Sequence, residues 1–213
     1  MRKQPHRLYL AFTLTELLAV LAIGSVLSLL LVSSMDGIKQ SSEVARSISN
    51  LRTMGSGIYL YANENSGRLP VWHDYTLGKY WWEQLLPYAG NNTHVFHSPG
   101  HVQFNDATRD TLAESISYGW NYQVAGRHRG DPSMDGDYGF TVGGYPTPSE
   151  SLVIAEGSDE HSWGFITVDK PPSAKRYSGK VPSLFMDSHV AVLKQEEFLQ
   201  NDPWFIPHTP MEE

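Results

Sequence analysis

The segment formed by residues 12–32 is the feature that most limits how this chain can fold. It is a membrane-length run of leucine, valine, isoleucine and alanine with small polar interruptions, and as a helix it spans about 30 Å. One acidic residue, Glu16, lies near its start. Because a carboxylate inside a bilayer costs roughly 2.5 to 3.5 kcal/mol on insertion scales, such a residue usually marks a pairing function.

A short basic leader precedes this run. Residues 1–11 include Arg2, Lys3 and Arg7 and no acidic residue, a bias that keeps this end in the cytoplasm. The apolar run exceeds the hydrophobic region of an ordinary secretory signal, so we expect it to be retained as an anchor. The sequence therefore predicts a single-pass membrane protein whose C-terminal part lies on the far side of the membrane from the cytoplasm.

The residues around the start of the run carry a specific resemblance. The string AFTLTELLAVLAI, from Ala11 onward, resembles the prepilin cleavage and methylation motif of type IV pilins and type II secretion pseudopilins. That resemblance implies that a prepilin peptidase cuts between Ala11 and Phe12 and that Phe12 is then N-methylated. It also implies a place in the bacterial inner membrane, in contact with its lipid, with the C-terminal domain in the periplasm. Ala11 departs from the family, which normally has glycine at this position.

The resemblance also implies a role for Glu16. Cleavage would create an α-ammonium on Phe12, with an ordinary pKa near 8, and Glu16 of a neighbouring subunit would pair with it inside a filament. A buried pair of this kind can specify register more than it stabilises, because desolvation offsets the attraction. The alternative is a polar residue merely tolerated in a signal anchor.

Composition and charge exclude several classes of protein. The chain has 213 residues, of which 40% are hydrophobic and 12% aromatic, enough for one folded domain beyond the anchor. Loss of the leader removes three of 16 basic residues and none of 23 acidic ones, so the formal charge falls from −7 to −10. Such a charge argues against nucleic acid as a partner. With no cysteine, neither disulfides nor thiolate metal sites are available.

The predicted organisation follows the apolar pattern. Apolar residues recur at intervals of three and four beyond the run, so we expect one helix over residues 12–62. Its first half would be the transmembrane or filament-core part and residues 33–62 the amphipathic part. Residues 63–201 would form the globular domain, and residues 202–213 an irregular tail. Short apolar pieces between glycines and prolines predict strands at residues 117–122, 138–142, 151–155, 163–168 and 183–193.

Later blocks of sequence suggest a subgroup of the same family. The strings SYGWN and LFMDSHV resemble blocks of pilin-like proteins that carry an H-x9-D-G motif, although Tyr177 and Ser188 replace its histidine and glycine. The expected fold is therefore α+β and pilin-like: a long N-terminal helix, membrane-spanning in its first half, packed on a small, mainly antiparallel sheet with long loops.

Three groups of polar residues are candidates for functional sites. Asp131, Asp135 and Asp137 are weak calcium candidates, since their spacing does not match an EF-hand loop, and no other cofactor or metal is expected. His94, His97 and His101 suggest zinc, but a turn-rich loop is favoured because Pro99 and Gly100 interrupt them. A hydrolase catalytic triad of Ser158, Asp159 and His161 is disfavoured. Residues so close in the sequence cannot be arranged as nucleophile, base and orienting acid.

Two functions remain open from the sequence. The first is a non-enzymatic structural subunit of a type II secretion or type IV pilus-like filament, processed by prepilin peptidase and assembled with other pilin-like subunits through the N-terminal helix. The second is a signal-anchored periplasmic binding domain, with carbohydrate as one possible ligand, suggested by the six tryptophans.

Overall fold

The structure is a computed structural model that describes residues 13–133, 139–159 and 163–200, without the side chains of residues 30–36 and 199–200. The predicted leader, the expected cleavage site at Ala11 and Phe12, and the predicted tail lie outside the described residues. The chain divides into two compact units, Met1–Ser41 and Ser42–Glu213. Each unit is described by itself below.

The described residues form helices and short strands in mixed order. The helices are α1 (Leu14–Glu64), α2 (Trp81–Leu85), α3 (Arg109–Ser115), α4 (Tyr122–Ala125) and α5 (Gln195–Gln200). The strands are β1 (His73–Asp74), β2 (Lys79–Tyr80), β3 (Tyr118–Asn121), β4 (His128–Arg129), β5 (Leu152–Glu156), β6 (Phe165–Ile166), β7 (Lys180–Phe185) and β8 (Val190–Lys194). Five short 3₁₀ turns connect them, including one at Lys175–Tyr177.

Two sheets, each with parallel and antiparallel pairs, form in the second unit. The smaller has the order β2-β1-β4, with β1 antiparallel to β2 and parallel to β4. The larger has the order β6-β3-β5-β7-β8, and only the β3–β6 pair in it is parallel. The predicted fold class is therefore wrong in its sheet: the fold is α+β, but two mixed sheets replace the single, mainly antiparallel one.

The predicted membrane span is also wrong. Among the helices of the described residues, none combines the length and the apolar character needed to cross a bilayer. Helix α1 has 51 residues, and Ser25 and Ser28 lie within its apolar run. The two serine hydroxyls donate to helix carbonyls four residues earlier, at 2.7 and 2.8 Å. This finding overturns the predicted transmembrane half-helix and the predicted single-pass location in the inner membrane.

One face of the later part of α1 belongs to the core of the second unit. Leu51, Met54, Ile58 and Tyr61 are all buried, at the spacing of three and four residues that one helix face requires. Burial of each such side chain contributes about 1.5 to 3 kcal/mol. The same core contains Trp81, on α2, whose ring stacks on that of Trp120 with centroids 5.6 Å apart.

Candidate functional site

The predicted assembly residue Glu16 lies in the first turn of α1 and closes that turn locally. Its carboxylate accepts hydrogen bonds from the Thr13 amide at 2.9 Å and the Thr13 hydroxyl at 2.7 Å. In return, the Glu16 amide donates to the Thr13 hydroxyl at 3.3 Å. This is a capping box, whose T-x-x-E signature was readable in the sequence. The bonds from Thr13 hold the pKa of Glu16 below its usual value.

The helix that follows Glu16 carries apolar side chains on every side. Between Leu14 and Leu29 the large apolar residues are each more than half exposed: Leu14, Leu17, Leu18, Val20, Leu21, Ile23, Val26, Leu27 and Leu29. At 3.6 residues per turn, these positions distribute around the whole circumference of the helix. We call residues 14–29 the apolar half-helix. An exposed apolar surface of this extent marks an interaction site.

In the second unit, a buried polar cluster connects elements that are distant in the sequence. Glu156, fully buried at the end of β5, accepts hydrogen bonds from Ser47 of α1 at 2.5 Å and from Ser98 at 3.0 Å. The Tyr118 hydroxyl donates to Ser47 at 3.0 Å, and the hydroxyls of Ser98 and Tyr177 lie 2.6 Å apart.

Arg176 compensates the buried charge of Glu156. Its guanidinium Nη1 donates to Glu156 Oε2 at 2.5 Å, and its Nε donates to Asp159 Oδ1 at 2.6 Å. The Arg176 side chain is only 1% exposed, so the guanidinium is almost entirely enclosed. Burial raises the pKa of the Glu156 carboxyl despite the arginine. Removing either partner would leave an uncompensated charge in the interior.

His101 lies beside this cluster and is itself 3% exposed. Its Nδ1 is 3.0 Å from the Ser117 hydroxyl, whereas its Nε2 has no hydrogen-bond partner among the described residues. Nε2 is 4.0 Å from Asp159 Oδ1, beyond hydrogen-bonding distance. Burial, aided by the positive charge of Arg176, lowers the pKa of His101 to about 4. The imidazole is therefore neutral at pH 7.

A cavity of about 380 Å³ opens beside His101 and Asp159, with Gln103, Asn105, Thr111 and Glu114 also in its lining. Helix α3 positions one wall through its own capping box, in which the Thr108 and Thr111 side chains each accept from the other residue's amide. In its last turn, the Ser115 hydroxyl accepts a hydrogen bond from the backbone amide of Asn105 at 2.8 Å. This bond connects the loop that contains Asn105 to the helix. The volume is that of a small-molecule site.

The three histidines considered for zinc do not converge. His94 is largely exposed, and the rings of His94 and His97 are 6.2 Å apart. His97 instead stacks on Phe104 at 4.3 Å. Within residues 13–133, 139–159 and 163–200, no group of three histidine, cysteine or acidic residues is arranged to hold a metal ion.

The calcium candidates and the triad candidates are only partly described. Asp131 Oδ1 accepts from the amide and hydroxyl of Ser133, at 2.9 and 2.7 Å, so it closes a local turn. Asp135 and Asp137 lie outside the described residues. Asp159 is bound to Arg176, and its proposed partner His161 also lies outside them.

The residues compared with the H-x9-D-G motif occupy different surroundings. Tyr177 is buried in the polar cluster, where burial raises its pKa to about 12. Asp187 is exposed and contacts His189 Nδ1 at 2.6 Å in the turn between β7 and β8. Sequence reasoning missed Glu156 and Arg176 as partners; the only local signal was a single acid at the end of an apolar strand.

A group of aromatic side chains is partly exposed near β1 and β6. Trp72, Tyr80 and Phe165 are half-buried, and Tyr75 and Trp163 are each 43% exposed. The Trp72 ring meets the rings of Tyr80 and Phe165 edge to face, at 5.8 and 5.5 Å. Aromatic faces of this kind suit stacking against a ligand.

Comparisons with protein-family models, with characterised proteins and with solved structures gave no match to this chain.

Proposed function

We propose that the protein is a structural subunit that assembles with further copies of itself, and with similar subunits, through the apolar half-helix. The observation that carries this proposal is the apolar surface around the whole circumference of residues 14–29. A helix that is apolar on all sides is normally buried. In a filament, the same helices of neighbouring copies would cover that surface.

The resemblance of the residues around Glu16 supports a pilin-like mode of assembly. In this proposal a prepilin peptidase cuts between Ala11 and Phe12, and Glu16 pairs with the freed amine of a neighbouring subunit. The capping box does not prevent that pairing, because a carboxylate offers about four acceptor positions and Thr13 occupies two. No reaction is assigned to the protein.

Cysteine cross-linking tests assembly through the half-helix, and the natural chain contains no cysteine that would interfere. We expect a Leu18→Cys, Val26→Cys double variant to give a ladder of oligomers on mild oxidation in cells that contain a prepilin peptidase. Each single variant should stop at a dimer, because one cysteine forms one bond.

The matched control is a Leu77→Cys, Val168→Cys double variant, which places two cysteines at exposed apolar positions of the second unit. It should remain monomeric or show only traces of dimer. A ladder from this control equal to that of the half-helix variant, or no ladder from either, would contradict the proposal.

A binding module is the second candidate, and the partly exposed aromatic group at Trp72, Tyr75 and Trp163 favours it. Its ligand would be one that stacks on aromatic faces, as sugars do. The mass of the N-terminus of the protein from cells separates the two candidates. A chain that begins at methylated Phe12 supports the subunit, whereas an uncut chain that begins at Met1 supports the binding module.

A further inference from the structure

Strand β8 forms one edge of the larger sheet, whose order is β6-β3-β5-β7-β8. All five of its residues, Val190–Lys194, pair with β7 in one continuous register. The opposite edge of this sheet is β6, which has only two residues. Because an edge strand turns unpaired amides and carbonyls outward, β8 offers the longer template for a further strand.

The hydrogen bonds to β7 show which backbone groups of β8 point outward. The Phe185 amide donates to the His189 carbonyl at 3.0 Å, so these two residues form a hydrogen-bonded pair. Such pairs alternate with non-hydrogen-bonded pairs in an antiparallel ladder, and the next residues of β8 that bond to β7 are therefore Ala191 and Leu193. Pro182 falls in a pair without hydrogen bonds, which suits a residue that has no amide hydrogen.

The remaining residues of β8, which are Val190, Val192 and Lys194, turn their amides and carbonyls away from β7. The Lys194 amide is already used, since it donates to a carboxylate oxygen of Glu197 at 2.6 Å. In the part of the chain that the structure describes, no hydrogen bond to the outward groups of Val190 or Val192 is found. One end of the edge is thus capped, and two residues of it stay open.

Nothing in the open part of the edge opposes pairing with another strand. Residues 190–193 include no charged residue and no proline, which are the usual means of blocking an edge. Helix α5 follows β8 and lies over one face of the sheet, where Phe198 is buried with Val181 and Phe185. The open backbone groups are therefore accessible to a second strand.

A second copy of β8 matches these open groups by two-fold symmetry. If two β8 strands run antiparallel with Ala191 opposite Ala191, then Val190 of each copy lies opposite Val192 of the other. Both of these are hydrogen-bonded pairs, so every open amide and carbonyl gains a partner. The residue on the axis belongs to a non-hydrogen-bonded pair, with Cα atoms about 4.5 Å apart. Alanine is small enough for that approach.

The side chains of β8 agree with the same register. Val192 is 41% exposed and would be covered by Val190 of the second copy, and such cross-strand pairs of β-branched residues stabilise sheets. At each end, Lys194 would lie opposite Ser188 of the second copy and beside the exposed carboxylate of Asp187. A parallel pair would instead place like charges together, which is unfavourable.

From this register we propose that β8 is a dimer interface, at which the β8 strands of two copies of this chain pair antiparallel about Ala191 and join their larger sheets into one. An isologous contact of this kind closes on itself. It is independent of assembly through the apolar half-helix, since β8 lies in the second unit and the half-helix in the first.

Disulfide cross-linking of the full-length chain, which has no cysteine of its own, tests the register. Ala191→Cys should give a disulfide-linked dimer on mild oxidation, because the two Cα atoms are about 4.5 Å apart. The control Val192→Cys is at a more exposed position, but its two copies would be about 8 to 9 Å apart, too far for a disulfide. No dimer from Ala191→Cys, or equal amounts from both variants, overturns the proposal.

Val192→Pro tests the hydrogen bonds of the interface. The Val192 amide points away from β7, so proline removes no bond within the sheet, and edge strands tolerate it there. In the Ala191→Cys background we expect Val192→Pro to lower the yield of dimer about tenfold or more. Val192→Thr keeps both the amide and the β-branched shape, and it should change the yield less than about twofold. Equal yields from these two variants would contradict the pairing.

Urea unfolding followed by tryptophan fluorescence checks that Val192→Pro is folded. If proline unfolds the second unit, Val192→Lys takes its place, because a lysine on an edge strand opposes pairing and keeps the amide. We expect the same fall in the yield of dimer, about tenfold. An unchanged yield from a folded Val192→Lys protein would overturn the proposal.

Hydrogen exchange followed by mass spectrometry shows what covers the edge. In the dimer the Val190 and Val192 amides are bonded, so protection of the β8 peptide should rise with protein concentration and fall in Val192→Pro. Protection that does not change with concentration, together with a monomeric Ala191→Cys protein, would mean that another part of the same chain covers β8. That result, or fast exchange at every concentration, sinks the proposed dimer.

Discussion

At the scale of single residues, the second unit is organised around charges that are buried in pairs. Glu156 and Arg176 are almost completely enclosed, and each is held by several hydrogen bonds. Asp74 is also fully buried and is paired with Arg129 at 3.0 Å. Because an unpaired buried charge is strongly destabilising, each of these pairs constrains where its elements can lie.

The protonation of His101 predicts how stability depends on pH. Its pKa is about 4 in the folded protein and about 6.5 when unfolded. The unfolded chain therefore binds a proton first as the pH falls, and the stability due to neutral His101 is lost between about pH 6.5 and pH 4. From pH 7 to pH 5 we expect His101 to account for a loss of about 2 kcal/mol in the free energy of unfolding.

Urea unfolding of the wild type and of His101→Gln at pH 7, 6 and 5 measures this contribution as a difference. Burial also lowers the pKa values of His73, His97 and His128 and raises that of Glu156. Those groups are present in both proteins, so the difference isolates His101. The control His94→Gln, at a largely exposed histidine, should follow the wild type. An equal loss in wild type and His101→Gln would contradict the assignment.

At the scale of elements, the larger sheet depends on one very close approach. Strand β3 pairs with β5 on one side and with β6 on the other. A Cβ atom at Gly119 would collide with the Cγ2 atom of Ile166 and lie 3.0 Å from the carbonyl carbon of Phe165. Only glycine therefore permits β6 to lie this close to β3.

We expect Gly119→Ala to destabilise the protein by about 2 kcal/mol, because β6 must move away or the side chain of Ile166 must leave its rotamer. Chemical denaturation with unfolding followed by tryptophan fluorescence measures the change. Gly143→Ala is the matched control, since nothing lies within 4 Å of the Cβ it would carry, and should change stability by less than about 0.5 kcal/mol. Similar losses of stability in the two variants would show that the close approach of β6 does not require glycine at position 119.

Elements differ in how well their sequence pattern revealed them. The helix face from Leu51 to Tyr61 is buried at the predicted spacing, and β5 overlaps the strand predicted at residues 151–155. In contrast, β1, β2 and β4 have two residues each and were not predicted. Two residues are too few to show an alternating pattern, so such strands are recognised only through their pairing partners.

At the scale of the whole molecule, α1 contributes a different kind of surface to each of the two units. Its residues 14–29 expose apolar side chains on all sides, whereas Leu51, Met54 and Ile58 bury one face in the core. The proposed assembly would cover the first surface, whereas the second is already buried in the core. This division is what the proposed assembly of subunits requires.

Two variants separate the assembly role of Glu16 from its capping role. Glu16→Gln removes the charge but can retain the capping box, whereas Thr13→Ala removes the cap and leaves the charge. If Glu16 pairs with an amine of a neighbouring subunit, Glu16→Gln should reduce the cross-linked ladder at least about tenfold. Thr13→Ala should leave most of the ladder, because losing a cap costs only about 1 kcal/mol.

Quantifying the ladder in the Leu18→Cys, Val26→Cys background gives the measurement. A protein with Glu16→Asp offers a further control, since it keeps a carboxylate at the same position. If Thr13→Ala abolishes the ladder and Glu16→Gln does not, the only function of Glu16 is to begin the helix.

The sequence by itself determined the features that depend on residues close together in the chain. These include the apolar run after Glu16, the buried face of α1 and the T-x-x-E signature of its capping box. All of them follow from helix geometry, in which residues three and four positions apart are neighbours. The predicted membrane span is contradicted, since no helix of the described residues has both the length and the apolar character to cross a bilayer.

Only the tertiary structure decided the contacts between distant residues. Ser47, Glu156 and Arg176 are widely separated in the chain and meet because α1, β5 and the turn at Lys175–Tyr177 pack together. The same packing places His101 4.0 Å from Asp159 and buries it. No local pattern encodes such a meeting, since charge, burial and pKa depend on which elements become neighbours when the core forms.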